Sequence, residues 1–466
     1  MGGRLAQGDP LPGRHRGGHE DRHRVPVEPV HRHADLEGSC VTVAAQHWFV
    51  GGHVFDGTGA ARLRADVLVT DGRITAVEPV DPSSRPADRA GRDGARVTDV
   101  SGSTLLPGFI DAHAHVGILR LHGQAALPPA VQAATIFAIL KSSLRQGFTT
   151  LRDLGGVDGG LVQAITDGLV PGPRLLPSGQ ILSQTGGHGD MRGHYSDEAA
   201  NPGTGATGLA LAMRLVDGVD EMRKAARDQF RRGATQLKVF ATGGLLSHGD
   251  PVDCPQLSVD EIRAAVEIAE DRNSYVTAHA HTPRGLLRAV RAGARCIEHA
   301  SHIDAETLEA IVENDVAVIG TLTMQELLRV DPETWGLDAS RREEAARLRD
   351  LTVQSMTMLR EAGVRVGGGA DLVGETQDLR AWEPALHARL FGGSAGIQTV
   401  TRVNAEILGI DAEVGTIEPG KVADLVAWGG DPVTYPELLK DNAPTLVVLG
   451  GRTVAGPGSG EEEALG

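Results

Sequence analysis

Apolar positions along the chain form two kinds of pattern, one at the ends and another in the middle. Near the start, the strand-like runs Ala65–Val69 and Arg73–Val77 flank Asp71-Gly72, a dipeptide typical of a tight hairpin turn. Similar runs return near the end of the chain at Ala423–Trp428 and Thr445–Leu449. The simplest interpretation is that both ends form one small β-sandwich and that the middle of the chain is an inserted domain.

The middle of the chain alternates strand-like and helix-like segments, as a parallel α/β fold requires. Ser258 and Glu261 read as a capping box that begins one helix, and Gly233 ends an earlier one. Eight strand candidates favour a closed barrel over an open sheet, so the expected fold class is α/β: a (β/α)₈ TIM barrel with a small discontinuous β-sandwich domain. The candidates are 104–111, 149–152, 174–178, 235–240, 275–278, 295–298, 317–320 and 364–370.

These patterns predict the following domain boundaries. Residues 41–103 and 416–455 form the composite β-sandwich domain, and residues 104–415 form the barrel. Residues 1–40 are dense in Gly, Pro, Arg, His and Asp without a hydrophobic period, so we expect a disordered extension there. Residues 456–466 are a similar, flexible tail.

Composition narrows the class of protein. A formal net charge of −16 over 466 residues argues against a nucleic-acid partner, because that affinity rests on clustered Lys and Arg, and a small-molecule substrate fits better. Cys40, Cys254 and Cys296 are far apart and odd in number, which predicts neither disulfides nor a zinc knuckle and favours the cytoplasm. Without a run of about 18 apolar residues or a signal-type leader, we expect no membrane association.

The end of the first barrel strand carries two histidines. His113 and His115 are two residues apart, so the period of a strand points both to the same side. Two converging imidazoles suit a divalent transition metal ion. Taken alone, the pair is equally well explained as two ordinary polar residues.

Lys238 lies inside an apolar run of the fourth strand candidate, where an unpaired ammonium group would be costly. Desolvation lowers the pKa of a lysine and favours the neutral amine. A neutral amine can add carbon dioxide to become a carbamate, an anionic group able to bridge two metal ions. The alternative is a lysine whose ammonium group reaches solvent or pairs with an acid.

Further histidines and a carboxylate follow other barrel strands. His279 and His281 end the fifth strand candidate, His299 follows the sixth, and Asp371 follows the eighth. In such barrels the carboxyl ends of the strands face the active site. Chance could place any one of these residues there, but hardly the ordered set, so the sequence predicts a metal centre at this end of the barrel.

With these residues in place, the chain resembles the amidohydrolase superfamily from about Trp48 to Val454. It is most similar to the imidazolonepropionase-related branch, which holds prolidase-like enzymes, Xaa-Arg or Xaa-Lys dipeptidases and related carboxamide hydrolases. The stretches that carry this resemblance are Asp217-Gly218-Val219-Asp220-Glu221, Thr242-Gly243-Gly244-Leu245-Leu246-Ser247, Ala278-His279-Ala280-His281 and Ile297-Glu298-His299.

The resemblance implies a binuclear hydrolase of C–N amide bonds in dipeptides, N-acyl amino acids or related carboxamides. It implies two divalent metal ions, most simply zinc, with a hydroxide nucleophile between them and with Asp371 as general base and acid. Carbon dioxide or bicarbonate would carboxylate Lys238. The implied ligands are His113, His115 and Asp371 for one ion, His279 and His299 for the other, and carboxylated Lys238 for both.

Three further residues are candidates for binding substrate. His188 lies in the Gly-rich loop after the third strand candidate, His281 comes two residues after a presumed ligand, and Tyr195 follows in the same loop region as His188. His188 and His281 could hydrogen-bond a substrate carbonyl or carboxylate, whereas His281 could equally support the ligands from behind.

Alternatives remain at this point. The chain reads Asp371-Leu372-Val373-Gly374 where related dipeptidases carry a His-Gly-containing stretch, so the substrate stays open between peptides, N-acyl amino acids, carboxamides and lactones. A mononuclear deaminase or imidazolonepropionase-type enzyme would lack the lysine bridge. A lactone or ester hydrolase would use the same ligands, and a silent assembly protein should have lost some of them. A homo-oligomer is common in the family, but no interface can be read from the sequence.

Overall fold

A computed structural model describes residues 46–80, 94–120, 127–193, 195–196, 208–211, 213–246 and 250–457. The extension predicted at 1–40 and nearly all of the tail predicted at 456–466 lie outside these ranges.

The strands of the described residues number nineteen. In chain order they are β1 (Gln46–Val50), β2 (His53–Val54), β3 (Leu63–Thr70), β4 (Arg73–Pro79), β5 (Arg96–Asp99), β6 (Ser103–Pro107), β7 (Phe109–Ala114), β8 (Phe148–Asp153), β9 (Arg174–Pro177), β10 (Leu182–Ser183), β11 (Arg214–Leu215), β12 (Leu237–Phe240), β13 (Val276–Ala280), β14 (Cys296–His299), β15 (Ala317–Gly320), β16 (Val366–Gly368), β17 (Leu425–Gly429), β18 (Leu446–Leu449) and β19 (Arg452–Ala455).

The helices begin after β7 and mostly separate the parallel strands. They are α1 (Pro129–Arg145), α2 (Gly159–Thr166), α3 (Val219–Arg231), α4 (Val259–Glu270), α5 (Pro283–Ala292), α6 (Ala305–Glu313), α7 (Leu322–Val330), α8 (Ala339–Glu361), α9 (Trp382–Phe391), α10 (Gly393–Thr399), α11 (Arg402–Leu408) and α12 (Glu437–Asp441), with a 3₁₀ helix at Gly374–Leu379. None of these helices is long and apolar enough to cross a membrane.

Both ends of the chain contribute to one nine-stranded outer sheet. Its strand order is β19-β18-β17-β6-β2-β3-β1-β5, and β4 pairs with β3. The strands β3 and β4 are joined at Asp71 and Gly72, which have φ of 50° and 79°, so the hairpin expected there is confirmed. The early and late strands meet where β17 runs antiparallel to β6.

The middle of the chain forms two parallel sheets, β7-β8-β9 and β11-β10-β12-β13-β14-β15-β16. Hydrogen bonds link their ends: the Thr235 N–H donates to the Pro177 carbonyl and the Asp371 N–H to the His113 carbonyl, both at 2.8 Å. Every residue of β12 to β16 is buried, as expected of parallel strands covered on both faces. The predicted alternation of strands and helices is confirmed, whereas β10 and β11 are additional.

The first strand candidate, 104–111, is corrected by the structure. It divides at Pro107-Gly108 into β6, which belongs to the outer sheet, and β7, which is parallel to β8. Pro107 has no N–H to continue a ladder, and the Gly108 N–H donates instead to the Asp424 carbonyl at 2.8 Å. A Cβ at Gly108 would lie 2.2 Å from the Thr149 side chain, so the crossing between sheets needs glycine.

Both helix ends that the sequence marks are confirmed. The Glu261 N–H donates to the Ser258 hydroxyl at 3.2 Å, and the Ser258 N–H donates to the Glu261 carboxylate at 2.7 Å, which forms the capping box of α4. Helix α3 ends at Arg231, and Gly233 follows with φ of 87°. The carboxylate of Glu261 also accepts from the Gly218 N–H at 2.7 Å, so the capping residue of α4 holds the segment that begins α3.

Candidate metal centre

The strand ends bring most of the predicted ligands together. The Nε2 atoms of His113 and His115 lie 3.2 Å apart, and Asp371 Oδ1 lies 3.2 and 3.3 Å from them. Two groups of three residues could each hold a metal ion, because in each group one ligand atom per residue lies within 4.8 Å of the other two. His299 belongs to both groups. The groups are His113, His299 and Asp371, and His279, His281 and His299.

One ring nitrogen of each histidine in this cluster is held by the surrounding protein. Nδ1 of His113 is 2.7 Å from the Glu298 carboxylate, and Nδ1 of His115 is 3.0 Å from the Gly155 carbonyl. The remaining contacts are His299 Nδ1 to Thr321 Oγ1 at 2.8 Å, His281 Nδ1 to Ser301 Oγ at 2.8 Å, and His279 Nε2 to the Gly243 carbonyl at 3.1 Å. The other nitrogen of each ring is left for a ligand, the arrangement found around metal-binding histidines.

Burial and mutual repulsion keep several of these imidazoles neutral. Burial lowers the pKa of His279 and of His299 well below its ordinary value, and neighbouring histidines lower it further. The pKa of His281 falls to about 3 through burial and through the charge of His188. Neutral imidazole is the form that binds a metal ion, so the electrostatics favour that role for these three residues. Burial acts to lower the pKa of His113, but Asp371 and Glu298 raise it above its ordinary value.

Asp371 is the only aspartate or glutamate among the predicted metal ligands. Burial acts to raise its pKa, but attraction to His113 and hydrogen bonds from His113 and His115 hold that pKa well below its ordinary value. Its side chain keeps 19% exposure, against 1% for His113. A carboxylate that is ionised and still reachable from outside can accept and return a proton.

Two of the predicted ligands have a strained backbone. His299 and Asp371 adopt left-handed conformations with φ of 71° and 55°, which non-glycine residues rarely adopt. Such strain costs on the order of 1 to 3 kcal/mol and clusters at functional sites. Both residues come at the carboxyl end of a parallel strand, where the turn brings the side chain back toward the cluster.

Lys238 lies in β12 with 1% exposure. Among the described residues its Nζ atom has no hydrogen-bond partner. Burial lowers the pKa of Lys238 to about 8, against the attraction of Glu298 and Asp371. A buried amine without a hydrogen-bond partner among the described residues is compatible with a group that becomes a carbamate, and this role of Lys238 stays a prediction.

A buried charged network behind the cluster is absent from the sequence-based predictions. Glu298 accepts from Arg152 Nη2 at 2.7 Å, from the Thr277 hydroxyl and from His113 Nδ1, and both Glu298 and Arg152 are fully buried. Burial acts to raise the pKa of Glu298, but Arg152 and His113 hold it well below its ordinary value. Sequence reasoning could have identified both residues by the criterion that identified Lys238, namely a charged side chain inside a buried strand.

The three residues predicted to bind substrate occupy different surroundings. The ring of His281 packs against those of His279 and His299 at 4.6 and 4.7 Å, so it could also serve as a ligand. His188 stacks on His279 at 4.8 Å and is half-buried, which places it beside the cluster. The side chain of Tyr195 is fully exposed, and only Ser196 is described beside it. Roles in substrate binding stay predictions.

The chain matches known proteins of one family. The model of the amidohydrolase family matches residues 104–454. Ochratoxinase of Aspergillus niger is 30% identical over 372 residues, which cover 76% of this chain and 76% of that protein.

Solved structures agree with this match. The crystal structure of a prolidase complexed with N-methylphosphonate-L-proline is 35% identical, with a TM-score of 0.81 over 88% of this chain and 99% of that one. A Xaa-Pro dipeptidase with bound methionine in its active site is 26% identical, with a TM-score of 0.77 over 88% and 100%. These likenesses imply a TIM-barrel-like fold with an extra domain.

Proposed function

The chain belongs to the amidohydrolase family and is a hydrolase that acts on carbon–nitrogen bonds, and on this premise we propose that it is a binuclear metal-dependent amidase. The proposed substrates are dipeptides, N-acyl amino acids or related carboxamides. The observation that carries the proposal is the cluster of histidines and Asp371 around the buried, unpartnered amine of Lys238.

The proposed centre holds two zinc ions. Lys238 would react with carbon dioxide, its nitrogen forming a bond to carbon while one C=O π bond opens and one proton leaves, and the resulting carbamate would supply an anionic ligand. The donor set fits such ions, because imidazole and carboxylate groups suit zinc and the second nitrogen of each imidazole is already engaged. The proposed ligands are His113, His115 and Asp371 for one ion, His279 and His299 for the other, and Lys238 for both.

Bound metal ions would supply Lewis-acid activation of the attacking water and of the substrate carbonyl. In this proposal Asp371 accepts a proton from the attacking water and delivers it to the leaving nitrogen, which must be protonated before the C–N bond breaks. The position of Asp371 supports this role, since its carboxylate lies beside His113 and His115 and remains partly exposed.

An apolar surface beside the cluster supports a substrate with an apolar group. Phe240 packs edge-on against the rings of His188 and His279 at 4.8 and 5.0 Å. It belongs to a buried apolar cluster with Leu245, which follows the same strand, and with Ile181 and Met324, which follow β9 and β15. We propose that this surface contacts an apolar acyl or side-chain group, while His188 and His281 hydrogen-bond the carbonyl or carboxylate of the substrate.

The finer architecture belongs to the same proposal. The eight strands β7 to β9 and β12 to β16 would close as a (β/α)₈ barrel within residues 104–415, with 41–103 and 416–455 forming the composite domain. The hydrogen bond from the Asp371 N–H to the His113 carbonyl supports closure, because it joins the last parallel strand to the first. The proposal also includes a small-molecule substrate, a cytoplasmic location and a possible homo-oligomeric state.

The test is a hydrolysis screen with matched variants. N-acyl amino acids with apolar acyl groups, Xaa-Pro dipeptides and ochratoxin-type amides are incubated with the zinc-loaded protein, and the released amine is quantified. Asp371→Asn keeps the size of the side chain, and Asn tolerates the left-handed backbone, so we expect a folded protein whose kcat falls about 10²- to 10⁴-fold.

Hydrolysis of one of these amides by the wild type and its loss in Asp371→Asn support the proposal. Turnover of lactones or deamination of ring substrates, with no amide cleaved, would instead favour the alternative reactions of this superfamily. Tyr195→Phe serves as a comparison, since the exposed phenol is predicted to touch substrate but not the metal ions.

A further inference from the structure

The buried carboxylate of Glu383, on a helix outside the parallel strands, hydrogen-bonds to two segments of the candidate metal centre. Glu383 lies in the first turn of α9 with 1% exposure. Its Oε2 accepts from the Thr323 N–H at 2.8 Å and from the Thr323 hydroxyl at 2.7 Å. Its Oε1 accepts from the Gly369 N–H at 3.2 Å and from the Leu322 N–H at 3.3 Å. The carboxylate therefore connects the start of α7 with the residues that follow β16.

Each of these two segments leads directly to a proposed ligand. Gly369 lies two residues before Asp371. Leu322 follows Thr321, whose hydroxyl oxygen is 2.8 Å from Nδ1 of His299. The spacing between Asp371 and His299 therefore depends on how firmly the two segments are tied together.

His387 completes this connection one turn later on α9. Its Nε2 lies 2.9 Å from Glu383 Oε1, and its Nδ1 lies 2.9 Å from the hydroxyl oxygen of Thr399. That hydroxyl donates to the Gly396 carbonyl at 2.6 Å. Both His387 and Glu383 are buried, and each has partners at its polar atoms, so their side chains are fixed in one arrangement.

Fixation matters here because the backbone of the two ligands is strained. His299 and Asp371 have φ of 71° and 55°, and such conformations persist only where the surrounding structure constrains them. Hydrogen bonds from N–H groups to an ionised carboxylate are about twice as strong as those between neutral groups. Glu383 accepts such bonds from Gly369, two residues before the strained Asp371, and from Leu322 and Thr323, which follow the residue that contacts the His299 ring.

We propose that Glu383, supported by His387, is a positioning residue that holds Asp371 and the imidazole of His299 at the separation needed for metal binding and proton transfer. The inference rests on the proposed metal site. Among the described residues, the hydrogen bonds of Glu383 go to Leu322, Thr323, Gly369 and His387, none of which is a proposed ligand. Its effect therefore passes through Gly369 to Asp371 and through Thr321 to His299.

The experiment compares metal-dependent stabilisation in matched variants. Melting temperatures are measured for the metal-free protein and in saturating zinc, together with zinc affinity by competition with a chromophoric chelator, for the wild type, Glu383→Gln and Asp424→Asn. Glutamine has the size of glutamate, but its amide group donates toward N–H groups that need an acceptor. Asp424 is the matched control, a buried carboxylate that accepts from Arg174 and from the Gly450 N–H, both at 2.8 Å, in the outer-sheet region.

We expect Asp424→Asn to lower both melting temperatures together and to keep the increment that zinc produces. Glu383→Gln should lose most of that increment, with zinc affinity falling about 10- to 100-fold and kcat falling far more than KM changes. His387→Gln, whose amide can still donate to Glu383, should recover most of the increment that His387→Leu loses.

An increment in Glu383→Gln equal to that of the wild type would overturn the positioning role. If Glu383→Gln does not fold, Thr323→Val decides the question, because it removes one donor and should weaken zinc binding about 2- to 5-fold; an unchanged affinity would contradict the inference. A wild type that gains no stability from zinc would instead reject the metal site itself, which distinguishes the two failures.

Discussion

Glu298 shows how one fully buried side chain can set the chemistry of its neighbours. Its carboxylate lies 2.7 Å from both Nδ1 of His113 and Nη2 of Arg152. Because the carboxylate is ionised, Nδ1 of His113 carries a proton toward it, so that Nε2, which lies 3.2 Å from both His115 Nε2 and Asp371 Oδ1, is the nitrogen that would bind a metal ion. The same carboxylate balances the charge of a buried arginine.

Glu298→Gln should therefore disturb both stability and metal binding. Removing one partner of a buried ion pair leaves the other charge uncompensated, so we expect the free energy of unfolding to fall by about 3 to 5 kcal/mol. Metal affinity should fall about 10- to 100-fold because His113 loses its orienting acceptor. Denaturant titration and chelator competition measure the two effects. Glu309→Gln, at an exposed position on α6, should change stability by under about 0.5 kcal/mol, and equal behaviour of the two variants would contradict this account.

At the scale of residues, the sequence could identify the side chains that face the cluster but not those that hold them. His113 and His115 follow from the period of a strand, and Lys238 follows from the cost of a charge in an apolar run. Glu383 could not be found in this way, because it lies on a helix and acts on backbone N–H groups of residues 14 and 60 positions away. Which backbone groups a side chain reaches depends on packing, which no local pattern records.

At the scale of elements, the end of β16 lies against the backbone of β7. A Cβ at Gly369 would lie 2.4 Å from Cβ and 2.5 Å from N of His113, closer than real contacts allow. The absence of a side chain at Gly369 therefore lets the last parallel strand carry Asp371 up to the histidines at the end of the first.

Gly369→Ala should push these two strand ends apart. Overpacking of this kind costs about 1 to 3 kcal/mol, and here it also moves Asp371 away from His113, so we expect loss of metal binding as well as lower stability. Denaturant titration and metal analysis of the purified variant test this. Gly193→Ala is the control, since a Cβ there meets nothing within 4 Å. Full metal content in Gly369→Ala would show that the close approach is not required.

Element boundaries were predictable where local chemistry sets them. The capping box at Ser258 and the Asp71-Gly72 turn depend on residues a few positions apart, and both are where the sequence places them. The division of 104–111 into β6 and β7 was not predicted, because the apolar run is continuous and only the partners of its two halves differ. Pairing between distant strands is information that a single run does not contain.

At the scale of the whole molecule, the outer sheet and the parallel strands share a packed interface. Trp428 on β17 is fully buried, and its ring centroid lies 5.7 Å from that of Phe109 on β7. Its indole N–H donates to the Leu438 carbonyl at 2.8 Å. Since β7 contains His113, the late part of the chain supports the strand that carries the first proposed ligand.

Trp428→Ala should lower the free energy of unfolding by about 3 to 5 kcal/mol, the usual cost of a large buried aromatic residue. Denaturant titration followed by tryptophan fluorescence and circular dichroism measures it. The metal content of the folded variant should stay near that of the wild type, because no ligand is moved directly. Tyr435→Ala, at an exposed position, should cost under about 0.5 kcal/mol, and a similarly small cost for Trp428→Ala would contradict the shared interface.

The participation of both chain ends in one outer region was predictable from the matching strand-like runs, and the nine-stranded sheet contains strands from both. The order of those strands in the sheet was not predictable, because it depends on where the chain re-enters the sheet after the inserted middle part. The same holds for the substrate, since loops that follow the strands determine it and their positions are not encoded in local patterns.

The central claim is a centre of two metal ions joined through Lys238, and metal content per chain tests it most directly. The wild type, Lys238→Ala and the exposed control Lys224→Ala are expressed with added zinc and bicarbonate, and their metal is measured by elemental analysis. We predict about two ions per chain in the wild type and the control, and a sharp fall in Lys238→Ala. About one ion per chain in all three proteins would contradict the binuclear centre and direct the search toward mononuclear chemistry.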